Sequence, residues 1–433
     1  MSSLTLAEFL DGEWRPALGC TEPASIAYAA SLAAREAGGS VQRVSVVCDP
    51  RMYKNCFAVG IPNSGHKTGL RWAIALGAWL PDPTAKLEVL RQVTPAILAR
   101  AERLIAEGRV HADVDPARTT LYVDCRVESD CGDARVIIEG DHTRVTLIER
   151  NGSPVGDHTA ADAAGSSVRE RFAEMSFTDM IGLANGADDE CRQRLRHGVE
   201  LNVAIAHHGL SLLPGAFLGD ASESIEARAG KLVCAGVYAR MWGVDMPVMS
   251  LAGSGNKGIS VSVPLALQAE RQSVAADRAD QALALACLVT SATTHHLGAL
   301  SAVCGCSNAA GVGLAAGLVY LAGGDASGVS MAVTNMVGNV AGMICDGAKI
   351  GCALKTMSGV DAAFRAASLA MNGVTIPDTD GIVGADGLAS LRNLGRIAVQ
   401  GMASVDSEVL GILRAKMADR AYDPAQSSTD SQA

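Results

Sequence analysis

Aromatic residues are scarce. Phe, Trp and Tyr make up 4% of the 433 residues, although 48% of the chain is hydrophobic. That excludes an aromatic-rich β-sandwich as the main architecture. The apolar mass is Ala, Val, Leu and Ile, and 46 glycines favour closely packed helices and tight turns. A basic excess is lacking too, since 36 Lys and Arg face 46 Asp and Glu, for a net charge of −10. Without a basic stripe there is no electrostatic footprint for nucleic acid. The basic amphipathic face of a membrane-surface helix is also missing. Glu8, Asp11 and Glu13 interrupt the opening MSSLTLAEFLDGEW, where a signal peptide needs an unbroken apolar stretch. The longest apolar runs, such as AAGVGLAAGLVYLAGG after Asn308, are rich in Gly and Ala and marginal for a bilayer. They read as buried helices, and the chain is expected to be cytoplasmic.

Standard C-x-x-C spacing is also absent, yet there are 12 cysteines. In a reducing compartment these are free thiols rather than disulfides. Cys48, Cys125 and Cys234 lie in apolar segments and read as core residues, while Cys131 sits in a polar turn. The others raise chemistry: Cys20 in ALGCTEP, Cys304 and Cys306 in VCGCSNAAG, and Cys345 and Cys352 in ICDGAKIGC.

A length of 433 residues suffices for a large core and two or three domains. The pattern predicts an α+β fold, a mainly helical catalytic body with a small inserted antiparallel β subdomain. Residues 1–105 are largely helical, apart from a strand-like VQRVSVVCD and a polar loop containing Lys54 and Asn55. Residues 106–165 change to alternating β-branched segments, TTLYVDCRVES, ARVIIEG and HTRVTLIERNG, separated by Gly and Asp turns. Helices return over 166–420, and the polar tail 421–433 is expected to be disordered.

The hexapeptide GSGNKG, Gly253 to Gly258, has the letters of a dinucleotide fingerprint. That fingerprint needs a helix to begin there, and the following ISVSVP, ended by Pro264, reads as strand or loop. Ser254, Gly255 and Asn256 instead resemble the turn with which pyridoxal-phosphate β-eliminating enzymes hold a carboxylate, a small anion nest. The alternative is a plain turn, and Lys257 is expected at the surface. Gly347 and Gly351, between Cys345 and Cys352, let the backbone bend so that two thiolates can reach one centre. Cys304 and Cys306 precede a helix that Ser307 or Asn308 would cap, where the dipole favours thiolate. Sulfur ligation points to zinc, with His295 or His296 completing the set, or to an iron–sulfur cluster. Buried structural cysteines are the alternative.

Five blocks, ALGCTEPASIAYAA, MYKNCFAVGIPNSG, GSGNKGISVSVP, CGCSNAAGVGLAAGLVYLAGG and NMVGNVAGMICDGAKIGCALK, together resemble the L-cysteine desulfidase family, which is related to the α-chain of iron–sulfur L-serine dehydratases. The resemblance runs from about Trp14 to about Ala415. It implies a [4Fe–4S] cluster held by three cysteines with one iron open, and no pyridoxal phosphate. By position, Cys345 and Cys352 match two ligands and Cys306 the third, with Cys304 in reserve. Cys20 matches a cysteine that acts as a base. Lys54, Asn55, Ser254, Gly255 and Asn256 become candidates for binding the substrate's carboxylate and amine. The implied reaction is α,β-elimination of L-cysteine to hydrogen sulfide, ammonia and pyruvate, with L-serine dehydration as runner-up. One departure is that the serine dehydratases end in a cysteine-bearing tail, whereas the last cysteine here is Cys352. A pyridoxal-phosphate lyase and a non-catalytic thiol-rich metal or redox protein are the competing classes. The expected partner is a small amino acid, with no nucleic acid and no membrane, and homo-oligomerisation is left open.

Overall fold

The computed structural model describes residues 4–156, 168–218, 223–298 and 300–422. Its helices are α1 (Leu6–Glu13), α2 (Thr21–Ala37), α3 (Pro50–Cys56), α4 (Leu70–Gly77), α5 (Pro95–Ala106), α6 (Val168–Ala173), α7 (Phe177–Asn185), α8 (Asp189–Leu210), α9 (Ile225–Trp242), α10 (Gly255–Arg271), α11 (Ala276–Leu297), α12 (Asn308–Leu321), α13 (Ala326–Val340), α14 (Cys352–Met371), α15 (Gly387–Arg396) and α16 (Val405–Tyr422). Its strands are β1 (Trp14–Leu18), β2 (Val41–Cys48), β3 (Val110–Val114), β4 (Tyr122–Ser129), β5 (Asp133–Glu139), β6 (Val145–Arg150), β7 (Ser153–Pro154) and β8 (Pro247–Leu251). The fold is α+β, as its composition predicts.

Two hydrophobic cores organise these elements. The larger is the helical body, where every residue of α12 is buried and α11, α13 and α14 pack round it. Ala and Gly give α12 a thin profile, so neighbours approach on all sides and an apolar face all round is fully used. Among the described residues no helix is long and apolar enough to cross a membrane. The smaller core lies between the sheet and α2, with α4 and α5 alongside.

The sheet departs from the expected insert. It has six strands in the order β3-β2-β4-β5-β6-β7, so β2 joins from well before residue 106. The β2–β3 pair is parallel, and the remaining pairs are antiparallel. Hairpin periodicity shows neighbours joined by short turns, but a parallel partner requires a long crossover. Here α3, α4 and α5 form that crossover.

A second departure is α10. Its ISVSVP segment is helical, with Pro264 inside the helix. Nearly the whole of its first eleven residues is buried against α8, α9, α11, α12, α14 and β8. Packing of this extent overrides the poor helix propensity of β-branched residues. Pro264 removes one interior N–H, a loss that an immobilised helix tolerates. A helix therefore does begin within GSGNKG, at Gly255. Among the described residues the strand before it, β8, pairs only with β1 and antiparallel, so the parallel βαβ setting of a dinucleotide fold is not formed there. For the polar tail, α16 continues to Tyr422, and residues 423–433 lie outside the described residues.

Candidate active site

The turns that follow the two strands of the β1–β8 ribbon meet in one place. β1 ends at Leu18 and leads through Cys20 into α2, while β8 ends at Leu251 and leads through Gly253 and Ser254 into α10. Thr21 Oγ1 donates to the Gly253 carbonyl at 3.3 Å and ties the turns together. A third wall comes from two loops that lie side by side. Cys304 N donates to Met343 O at 2.8 Å, and Cys345 N donates to Ala302 O at 2.7 Å. This bridge brings the Cys304–Cys306 segment against the Cys345–Cys352 segment, although about forty residues separate them in sequence.

The three walls enclose a small cavity with about 80 Å³ of free space. Cys20, Asn55, Ser254, Asn256, Cys304, Cys306, Cys345 and Cys352 all line this cavity. Lys54 and Gly255 do not. The Lys54 side chain is wholly buried behind the wall, where Nζ donates to Cys345 O at 2.8 Å and to Asp406 Oδ1 at 2.5 Å. The expected polar loop is thus the helix α3, begun by Pro50 and capped by Asp49. Gly347 shows why this packing needs glycine. Its φ is +100°, and a Cβ there would lie 2.3 Å from the Lys54 carbonyl oxygen.

Asp406 comes from α16 and is held a second time by Arg51 Nε at 2.7 Å. Its removal leaves an ammonium buried without a counter-ion. Asp406→Ala is therefore expected to cost about 3 kcal/mol or more of stability. Thermal unfolding of the metal-free protein would show it as a lowered midpoint, and an unchanged midpoint would contradict the role given to this pair.

Cys20, expected to act as a base, is held as a hydrogen-bonded thiol. It donates from Sγ to Glu22 Oε2 at 2.8 Å. Burial, and then the Glu22 charge, push its thiol well above the ordinary value. Burial works against the Glu22 charge, but His142, the Cys20 hydrogen bond and Arg240 hold the carboxyl below its usual range. The pair rests as thiol and carboxylate. Burial likewise outweighs the helix dipole at Cys306, pushed up to about 11, and at Cys304, pushed up to about 12. Each is raised further by a neighbouring thiol, Cys352 for Cys306, and Cys306 and Cys345 for Cys304. The sulfurs stand close enough to sense one another's charge.

Lys257 is another correction, since it is 4% exposed rather than at the surface. Its Nζ donates to Ala252 O at 3.1 Å and to Thr294 Oγ1 at 3.0 Å. Burial, with Arg169 nearby, lowers it to about 8, while the Cys306 charge works the other way. His295 and His296 do not line the cavity, so the zinc set they would complete is not assembled. His296 instead faces Glu174.

Sequence reasoning missed Glu22, His142 and Arg240, all three of which line the cavity. Glu22 was within reach, two residues from Cys20. Arg240 had a signal as the lone cation in the otherwise apolar end of α9, AGVYARMW. His142 looked like an ordinary hairpin turn, but its carbonyl accepts from Ser25 Oγ at 2.6 Å and its Nε2 has no partner among the described residues. His142 also lines a second cavity, which shares Thr21 and Gly253 with the first.

Residues 85–411 match the family described as serine dehydratase alpha chain. A UPF0597 protein of Geobacter sulfurreducens is 38% identical over 94% of this chain and 98% of its own length. A UPF0597 protein of Desulfotalea psychrophila is 37% identical over 92% of this chain and 96% of its own length. A UPF0597 protein of Elusimicrobium minutum is 34% identical, covering 95% and 99%. The chain belongs to the serine dehydratase alpha chain family, which points to a lyase of the serine dehydratase type.

Proposed function

We propose that the protein is an iron–sulfur lyase that converts L-cysteine to hydrogen sulfide, pyruvate and ammonia. The observation that carries this reading is the meeting of four cysteine thiols with the Cys20–Glu22 pair in one cavity. Among the described residues no three His, Cys, Asp or Glu side chains converge tightly enough to hold a single metal ion. An all-sulfur donor set spread round a cavity suits a polynuclear cluster better. Cys306, Cys345 and Cys352 would hold a [4Fe–4S] cluster. Cys304 is the reserve, as the more buried of the two neighbours and in contact with Ser307 Oγ at 3.6 Å. When bound, the cluster supplies a Lewis-acidic iron for the departing β-group.

The remaining chemistry falls to side chains. Cys20 passes its proton to Glu22, and the thiolate so formed takes the substrate's α-proton. The electron pair of the broken Cα–H bond forms a Cα–Cβ double bond as the Cβ–S pair leaves with sulfur. The aminoacrylate released tautomerises to an imine, and water converts it to pyruvate and ammonia. Ser254, Asn256 and Asn55, which line the cavity, position the substrate's carboxylate and amine. The Lys257 ammonium offsets negative charge at the thiol-lined end. Lys54 acts behind the wall, holding the Cys345 loop through its carbonyl.

The choice of L-cysteine rests on chemistry and on the motif blocks. A thiolate suits a soft iron–sulfur site better than a neutral hydroxyl does, and it is the better leaving group. The description of the family favours a second reading, L-serine dehydration. The test is the ratio of kcat/KM for L-cysteine and L-serine on anaerobic, cluster-replete protein, with sulfide and pyruvate both quantified. The expected result favours cysteine, with the two products in equal amounts. A ratio favouring serine transfers the assignment to serine dehydration. If neither amino acid gives ammonia and a 2-oxoacid, the protein is a thiol-rich metal or redox protein instead.

A further inference from the structure

Arg240 lies at the end of α9 and is 2% exposed, among the largest fully buried side chains of the protein. A buried guanidinium ordinarily has its donors satisfied, because an unpaired charge in a poor dielectric is costly. Here only Nη1 is used, donating to Asn256 Oδ1 at 2.9 Å. Nε and Nη2 have no hydrogen-bond partner among the described residues. The side chain nevertheless lines the cavity. The fold thus keeps a fork of donors unsatisfied at the point where the site is built.

The guanidinium lies against the start of a helix. A Cβ on Gly255, the first residue of α10, would come within 2.4 Å of Arg240 Nε, so only glycine lets the two approach. α10 has 17 residues, and Ser254 makes no side-chain capping bond. Its first-turn N–H groups therefore add a second set of donors, and the dipole adds favourable potential for an anion. Cys20 and Glu22 are close enough for the Arg240 charge to act on both. Arg240, Cys20 and Glu22 line the same cavity.

We infer that Arg240 is the residue that reads the substrate's α-carboxylate, forking it against the first turn of α10. Asn256 then has a supporting part, fixing the guanidinium through Nη1 while its own N–H belongs to the helix end. A planar fork suits a carboxylate, which takes two parallel hydrogen bonds, and a lysine cannot reproduce that geometry. The substrate class narrows accordingly to free α-amino acids. Peptides with an internal cysteine, and amines without a carboxylate, would leave the fork unsatisfied. The inference rests on the lyase reading for the identity of the acid, but not for the presence of the anion site.

The test uses the full chain, anaerobic and reconstituted with iron and sulfide, and reads binding by titration calorimetry. 3-Mercaptopropionate carries a carboxylate and a thiol but no α-amine, and cysteamine carries a thiol and an amine but no carboxylate. Arg240→Gln is expected to weaken 3-mercaptopropionate by about a hundredfold and to leave cysteamine within about threefold. Arg240→Lys should fall between wild type and Arg240→Gln. Asn256→Asp places a carboxylate on the guanidinium from within the protein, so it should weaken 3-mercaptopropionate by more than about tenfold with the arginine intact. That variant carries the test if Arg240→Gln fails to fold. Equal weakening of both ligands, or weakening of neither, overturns the inference. Failure of the lyase reading looks different: wild type and variants would show the binding pattern above, but L-cysteine and L-serine would yield no pyruvate.

Discussion

Cys345→Ser is expected to yield protein without iron or acid-labile sulfide and with turnover reduced by about a thousandfold or more, since a Lewis-acid contribution is worth several kcal/mol. Cys345 stands at the junction of the two paired loops, where its N–H bonds to Ala302 and its carbonyl accepts from buried Lys54. A serine there preserves both backbone contacts and the local shape, so the change isolates the sulfur. A hydroxyl is a hard, poorly ionised donor for iron, and two remaining thiolates hold a cluster less firmly than three. The measurement is iron and sulfide content per chain after anaerobic reconstitution, with the visible spectrum alongside. A full complement of both in Cys345→Ser would remove this residue from the ligand set. The proposed cluster leaves one iron open to substrate, so air is expected to bleach wild type and abolish its activity.

Cys20→Ser should do the reverse, keeping the cluster spectrum while losing about a hundredfold to ten-thousandfold in turnover, the range for a general base. Serine can still donate a hydrogen bond to Glu22, so the start of α2 is preserved. What is lost is a group acidic enough to surrender its proton to Glu22 and then accept another. Exchange of the substrate's α-hydrogen with deuterated water should vanish together with turnover. Glu22→Gln should show the same pair of losses, because the amide cannot take the thiol proton. If exchange persists in Cys20→Ser, the base lies elsewhere. If the cluster is lost with activity, Cys20 is a ligand or a folding residue.

Much of the helical body was legible because its signals are local. The Gly and Ala run after Asn308 is a buried helix, and Cys48, Cys125 and Cys234 are buried among apolar neighbours. The cysteines that line the cavity could be singled out because glycines and helix starts flank them. What could not be read depended on partners far along the chain. β2 pairs parallel with β3 only through a crossover of three helices. α10 is helical because six elements immobilise it, whereas its β-branched residues and Pro264 alone suggest a strand. Lys257 read as a surface lysine and Lys54 as a substrate-binding candidate in a polar loop, because one-dimensional pattern does not show Thr294 approaching the first or Asp406 the second. Arg240 needed the same knowledge, since an unsatisfied donor is visible only once all its neighbours are in place.

The two-stranded ribbon has a consequence for how activity arises during folding. Trp14 pairs with Leu251 and Leu18 with Pro247, so the ribbon closes a loop of more than two hundred residues. Loop closure of this kind carries an entropic cost that grows slowly with length, and contacts so distant in sequence form late and slowly. The last residues of each strand run directly into the Cys20 turn and the Ser254 turn. Because the strands are antiparallel, these two ends lie at opposite ends of the ribbon, and the turns meet only when the chain after Leu18 folds back so that Thr21 reaches Gly253. A molecule with an open ribbon can hold native helices and even the local Cys20–Glu22 pair, yet it lacks the assembled cavity around them. Newly made chains should pass from inert to active in a single step, with refolding kinetics of activity lagging behind those of helix content.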